Sequence, residues 1–366
     1  MEQGSQFREV FNRTSVTLLA ERISGVYPEF KLGEFVESAV FAFSELSLSE
    51  RSMQICDCLK VFLPEDFTAA VNILLKAQSA ELVHPELEGF DGFTVMPQTV
   101  YVSKYGQEHF ELSMHALEEM TKRFTSEFAI RYFLIQHPEK TLIQMKKWAL
   151  DENCHVRRLA SEGSRPLLPW AMRLNDFVKD PRPVLEILEL MKFSAERLVE
   201  RSIANNLNDI SKHHPDLVTD LLLKWQKEGV SPWLISHALR TLFKQGNPQA
   251  LQLCAYNPQA EVIISDFEVL SPEVKFGGNL EFSFKIASKR PERLMIDYIV
   301  HHMKANGKLS PKVFKLAKKT VCGTESVHKL HSIRPITTRK YYPGRHLIQI
   351  QVNGKVCSEG SFELKM

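Results

Sequence analysis

Residues 151–170 read DENCHVRRLASEGSRPLLPW, and this stretch holds the side chains for work on a charged substrate: a carboxylate, three guanidinium groups and an indole. A carboxylate sheltered from bulk water stabilises developing positive charge and can orient or deprotonate a water molecule. An indole face attracts a cation, by about 0.5–2 kcal/mol. Guanidinium groups grip phosphates through paired hydrogen bonds. Set on a helix at about 100° per residue, Val156, Leu159, Ala160 and Gly163 fall on one packing face. Arg158, Ser161, Glu162 and Arg165 fall on the opposite side, three and four residues apart, where exposure is expected. Pro166 cannot continue the helix and biases Arg165 out of the α region. A new helix is expected to start at Pro166 and to carry Trp170 on its first turns. The plainer alternative is a solvated face with an intrahelical Arg158–Glu162 pair, worth a few tenths of a kcal/mol.

The elements that must position these groups are helices. From about residue 7 to 255 the hydrophobic period is helical, as in SVTLLAERISGV, FTAAVNILLKAQ, PEKTLIQMKKWAL, PWAMRLNDFV and AERLVERSIANNLNDISK. Residues 80–97 read as a loop. His137-Pro138 followed by Trp148 recurs 77 residues later as His214-Pro215 followed by Trp225. Half that interval is close to a two-helix HEAT-like unit, so an α-solenoid with a concave binding surface is expected. After residue 258 the period becomes that of strands, with GG, NG, PG and EG dipeptides between several of them. Seven short strands predict an immunoglobulin-like β-sandwich. The fold class is therefore multidomain, with helical repeats over 1–257 and a sandwich over 258–366.

Composition narrows the function. The chain has 366 residues, 44% hydrophobic and 25% charged, and no apolar run long enough for a membrane span. The N-terminal MEQGSQFREVFNR lacks a hydrophobic leader core, so a cytoplasmic location is expected. The six cysteines form no CxxC pair and no Cys/His ligand spacing, so they are read as buried, reduced thiols, with no metal and no cofactor. The doublets His213-His214 and His301-His302 read as surface or edge histidines. Net charge is only +2, yet residues 1–119 hold 8 Lys/Arg against 19 Asp/Glu, and residues 289–345 hold 14 against 3. Residues 122–173 are also basic, 10 against 5. Such asymmetry points to a polyanionic partner.

The string RRLASEGSRPLLPW, the helical repeats and the basic C-terminal sandwich together resemble the AlkC branch of the HEAT-repeat DNA alkylpurine glycosylases, in its subset with an appended immunoglobulin-like domain. The resemblance implies hydrolysis of the N-glycosidic bond of cationic lesions, 3-methyladenine and 3-methylcytosine, in double-stranded DNA. It implies no metal, no lyase step and no swing of the base into a pocket, unlike base-flipping enzymes. A 3-methylated base leaves neutral and needs little acid help, whereas the oxocarbenium-like sugar needs a carboxylate. A monomer is the simplest expectation.

Carried over by motif, Glu162 is the first candidate for the catalytic carboxylate and Glu127 the second. Glu127 heads EFAIRYFLIQ and would otherwise complement the helix dipole or pair with Arg131. Trp170 is the candidate lesion-contacting aromatic, its alternative being a core tryptophan; Trp148, Trp225 and Trp233 read as packing residues. Arg158, Arg165 and Arg157 are expected to hold phosphates, and Asn205, Asn206 and Asp209 to face DNA from a later repeat. In the sandwich, Lys312, Lys315, Lys318 and Lys319, with Arg334, Arg339, Lys340 and Arg345 around Pro343-Gly344, are expected to contact the DNA backbone. The main competing reading is a non-enzymatic helical scaffold that binds DNA. A metal-dependent nuclease lacks the clustered Asp/His ligands it would need.

Overall fold

The two His-Pro…Trp strings fold alike. Helix Pro138–Trp148 is entered through His137 (φ −134°, ψ 58°) and helix Pro215–Lys227 through His214 (φ −130°, ψ 63°). Proline takes the first helical position, where its missing N–H costs nothing. Trp148 and Trp225 are buried, as packing residues should be. The computed structural model describes residues 8–82, 91–336 and 339–366. It divides into two compact units, Met1–His213 and His214–Met366. No helix among the described residues is long and apolar enough to cross a membrane.

The described part of the first unit is helical. Polar caps start several helices: Asn12 and Ser15 form a capping box at Arg13–Val26, Asp66 caps Phe67–Lys76, and Asn153 caps Cys154–Gly163. The expected loop at 80–97 is corrected in part. Residues 83–90 lie outside the described residues, but Asp91–Val95 form a 3₁₀ turn and Met96–Tyr105 form an α-helix. Its MPQTVYVSKY sequence is rich in poor helix formers. Burial of Pro97, Thr99, Tyr101 and Val102 overrides that preference. The helix expected over PWAMRLNDFV is also corrected: only Asn175–Lys179 is helical, and Trp170 lies in a turn. Pro166 and Pro169, three residues apart, remove two donors and restrict the residues before them.

The second unit begins with helices Pro215–Lys227, Pro232–Ala238, Arg240–Lys244 and Pro248–Leu253. Six strands follow: β1 (Val262–Val269), β2 (Glu273–Lys275), β3 (Asn279–Met303), β4 (Leu309–Ser332), β5 (Gly344–Val352) and β6 (Lys355–Lys365). β3 pairs β4 along its length, β1 through its first half and β5 through its second. This exchange of partners lets one long strand serve both layers around a core that includes Phe282, Phe284, Ile296, Val300, Ile348 and Phe362. NLEFSFKIAS with LMIDYIVHH, and KVFKLAKKTV with SVHKLHSI, which alternate like four separate strands, thus form two bent ones. An irregularity between Ser288 and Glu292 bends β3. Gly354 and Gly246 touch backbone to backbone: a Cβ on Gly354 would lie 2.1 Å from the Gly246 Cα, so a side chain there would push the strand turn off the last helices.

Two further expectations are corrected. His302 is no surface residue. With His331 and His346 it is buried in the sandwich, where it accepts from Arg339 Nη1 at 2.6 Å, and His331 Nδ1 is bonded to the Tyr298 hydroxyl at 2.9 Å. All six thiols are free, but only Cys56 is buried and Cys322 is exposed.

Candidate active site

Helix Cys154–Gly163 is covered on two sides. Val156, Leu159, Ala160 and Gly163 form the apolar face, as the spacing predicts. Gly163 is required there, because a Cβ would meet Ile130 Cγ2 at 2.5 Å. The opposite side, expected to be exposed, is buried too: Ser161, Glu162 and Arg165 are 0%, 6% and 7% exposed. They meet helix Arg197–Ile210, whose Ser202, Asn206 and Asp209 make a polar stripe at spacings of four and three. Asn206 Nδ2 donates to the Ser161 carbonyl at 2.7 Å, and Ser202 Oγ donates to Glu162 Oε2 at 2.5 Å.

Arg165 binds this interface together. Its Nη1 donates to Glu162 Oε1 at 2.5 Å and its Nε to Asp209 Oδ2 at 2.8 Å. Lys212 holds the other Asp209 oxygen at 2.9 Å. Burial works against the Arg165 charge, but Glu162 and Asp209 outweigh it and raise its pKa. Buried carboxylates persist only when matched in this way. Arg165 is therefore not a solvent-facing arginine, in contrast to its expected position; its guanidinium is committed to two carboxylates.

The second expected carboxylate is matched separately. Glu127 lies in the turn before helix Ile130–Gln136, not at its head. Its Oε2 takes Arg158 Nη2 at 2.8 Å and the Thr125 hydroxyl at 2.9 Å, while Arg158 Nη1 donates to that hydroxyl at 3.0 Å. Neither the Arg158–Glu162 nor the Glu127–Arg131 pair forms. Arg157 is drawn elsewhere, to Glu196 at 2.6 Å and to the carbonyls of Asp151 and Glu152. Asn205 is half-buried.

Arg131, considered in the sequence only as a partner for Glu127, has a different place. It is fully buried, and its guanidinium donates to the carbonyls of Gly163 (2.9 Å), Arg165 (2.8 Å) and Met172. It thus caps helix Cys154–Gly163 and ties down both ends of the loop that follows. Burial, then the nearby Arg165 charge, lower its pKa to about 10. On that loop Trp170 stands 91% exposed, at φ 63°, in the left-handed region. It is not a core tryptophan.

In the second unit, Lys312, Lys315, Lys318, Arg334, Lys340 and Arg345 are exposed. Lys319 pairs with Glu325, Arg339 lies over the Tyr341 ring at 5.7 Å, and Lys340 over the Tyr342 ring at 5.6 Å. Ser202, Thr125 and Arg131 are the site residues the sequence reading missed. The signal for the first was the 202/206/209 stripe.

The first unit thus buries a matched carboxylate and presents an exposed indole, and the strands of the second unit carry exposed lysines and arginines. Residues 105–242 match the family described as "DNA alkylation repair enzyme", and residues 263–366 match "Uncharacterised protein YhaZ, C-terminal Ig-like domain". The chain is 36% identical to the Bacillus subtilis protein YhaZ, over 98% of this chain and 99% of that one. It superposes at a TM-score of 0.89 on the Pseudomonas fluorescens alkylpurine DNA glycosylase AlkC bound to DNA containing an abasic site analogue, with 36% identity over 98% and 99% of the two chains. The chain belongs to the AlkC family of alkylpurine DNA glycosylases.

Proposed function

We propose that this protein is a monofunctional DNA glycosylase that removes cationic alkylated bases, 3-methyladenine and 3-methylcytosine, from double-stranded DNA. The helices over 1–257 carry the chemistry and the sandwich over 258–366 contacts the DNA backbone. It acts as a monomer, in the cytoplasm, on the nucleoid.

The observation that carries this reading is Trp170. A left-handed tryptophan costs about 1–3 kcal/mol of backbone strain and persists only when its surroundings over-determine it. Here Arg131 supplies that constraint, and the exposed indole gains nothing from packing. Such an expense fits an aromatic held ready for a cationic base. Glu162 is the carboxylate that stabilises the oxocarbenium-like sugar and orients water. Arg165 and Ser202 fix both of its oxygens. Asp209 balances Arg165, and Glu127 with Arg158 forms a second carboxylate–arginine pair that faces the DNA. The cavity beside Arg158, lined by Thr121, Thr125, His155 and Leu198, holds about 10 Å³. That is room for about one water molecule.

The test is incubation of the purified protein with methylated duplex DNA in EDTA, followed by chromatography of released bases. Release of 3-methyladenine is expected. Tight binding without release would replace this reading by a DNA-binding scaffold.

A further inference from the structure

Within the second unit, helices Pro232–Ala238 and Arg240–Lys244 and strands β3 and β4 line an open cavity of about 390 Å³. This lies in the range of about 300–1,000 Å³ typical of small-molecule sites. Its wall combines two chemistries. On one side Trp233 and His237 stack at 4.7 Å and 10°. On the other, Lys244, Lys315 and Lys318 surround a single carboxylate, Asp297, and Arg240 lines the same cavity. The Lys318 ammonium rests over the Phe243 ring at 5.0 Å and the Tyr256 ring at 5.9 Å, which aims it along the cavity wall.

The arrangement follows from the strand register. An irregularity between Ile296 and Asp297 places Lys315 directly across from Asp297. Asp297 is 4% exposed. Burial raises its pKa to about 6, although Lys244, Lys318 and Lys315 pull it down. Three lysines around one buried carboxylate leave an excess of positive charge in a cavity with an aromatic end. That is the chemistry of a phosphate attached to a ring, because basic groups track the backbone and every base offers a π-face for stacking.

We propose that this cavity is a mononucleotide site: Lys244 and Lys315 hold the phosphate, and the Trp233–His237 stack receives the base. The nucleotide comes either from an unpaired position in a DNA strand or from a free nucleoside monophosphate. Neither Trp233, Lys244 nor Asp297 belongs to the cluster around Glu162, so the site stands or falls apart from the glycosylase reading.

The experiment is isothermal titration of the full-length protein with deoxyadenosine monophosphate, inorganic phosphate, deoxyadenosine and a single-stranded pentanucleotide. The nucleotide is expected to bind about tenfold more tightly than phosphate or nucleoside alone, since stacking and charge each contribute. Lys244→Gln and Trp233→Ala are each expected to weaken it about tenfold. Asp297→Asn is expected to tighten it by removing the like charge. The Lys244 side chain is exposed, and its backbone carbonyl, which accepts from Gln351 Nε2 at 3.3 Å, is untouched by the substitution. Lys244→Gln therefore remains informative if Trp233→Ala fails to fold. Tighter binding of the pentanucleotide, with displacement of the mononucleotide, assigns the site to a strand, and the reverse assigns it to the free nucleotide. No saturable nucleotide binding at millimolar concentration, phosphate binding as tightly as the nucleotide, or wild-type affinity in Lys244→Gln would overturn the proposal.

Discussion

The interface between helices Cys154–Gly163 and Arg197–Ile210 and the lysine-bearing stretch of β4 both gather charge, but they treat it in opposite ways. In the first, Glu162 and Asp209 are buried against Arg165, each with a second donor on its remaining oxygen. In the second, Lys312, Lys315 and Lys318 stand exposed along one strand. The first arrangement holds charge at fixed points where salt screens it little. The second is a field, screened over about 8 Å at physiological ionic strength. Fixed charge suits bond breaking, where a group must already point at the developing cation. Diffuse charge suits the attraction of a phosphate backbone of any sequence.

The largest effect is expected where a buried match is broken. Arg165→Leu leaves two carboxylates facing each other without their shared cation. It should destabilise the first unit by about 3–5 kcal/mol in denaturant unfolding, together with loss of excision. Unchanged stability would mean that the interface is wetter than its burial indicates.

The sandwich has buried titratable groups of its own, and they sharpen the contrast because they are kept neutral rather than paired. Burial lowers the pKa of His302 to about 3 and of His331 to about 4, from 6.5. Below pH 6.5 the unfolded chain therefore binds more protons than the folded one, and stability falls as pH drops toward 4. Each histidine should contribute roughly 1.4 kcal/mol per pH unit in that window. Thermal melts of the wild type and His331→Phe from pH 7 to 4 check this. A second transition with the same pH dependence in both proteins would contradict it.

Trp170→Ala should slow excision by about 2- to 30-fold, the range of one cation–π contact. Stability should hold, since the indole is exposed. Lost stability with unchanged rate would make Trp170 a packing residue. The smallest effect is expected on β4: Lys312→Gln should weaken duplex binding uniformly across sequences and reduce the salt slope by about one. An unchanged slope would remove Lys312 from the phosphate contacts.

What was legible in the sequence follows from how local its cause is. The Cys154–Gly163 helix could be read to the residue, because Asn153 caps it and its apolar face has the helical period. The turn at Asn353-Gly354, with φ of 45° and 80°, was marked by its residue types. Burial of Glu162 was not legible from its own helix, since a helical wheel reports one packed face and not the second layer. The clue lay some 40 residues later, in the Ser202/Asn206/Asp209 stripe. The Trp170 loop looks helical in the sequence because Pro166 suits a helix start when taken alone. Only the tertiary hydrogen bonds from Arg131 hold the loop as it is. Merging of expected strands into β3 and β4 was hidden by Pro291 and Gly323, which read as breaks; the strands bend there instead, β3 by a register shift between Ser288 and Glu292 and β4 at Gly323 with φ 79°.

The central claim is that the matched, buried carboxylate does the chemistry. Single-turnover excision of 3-methyladenine, with enzyme in excess over methylated duplex DNA, tests it directly in wild type and Glu162→Gln. Glutamine keeps the shape and most hydrogen bonds but not the charge. A folded protein, with Arg165 still held by Asp209, DNA affinity close to wild type and a rate lower by about 10²-fold or more are expected. A wild-type rate in Glu162→Gln would contradict it and move the chemistry to another group.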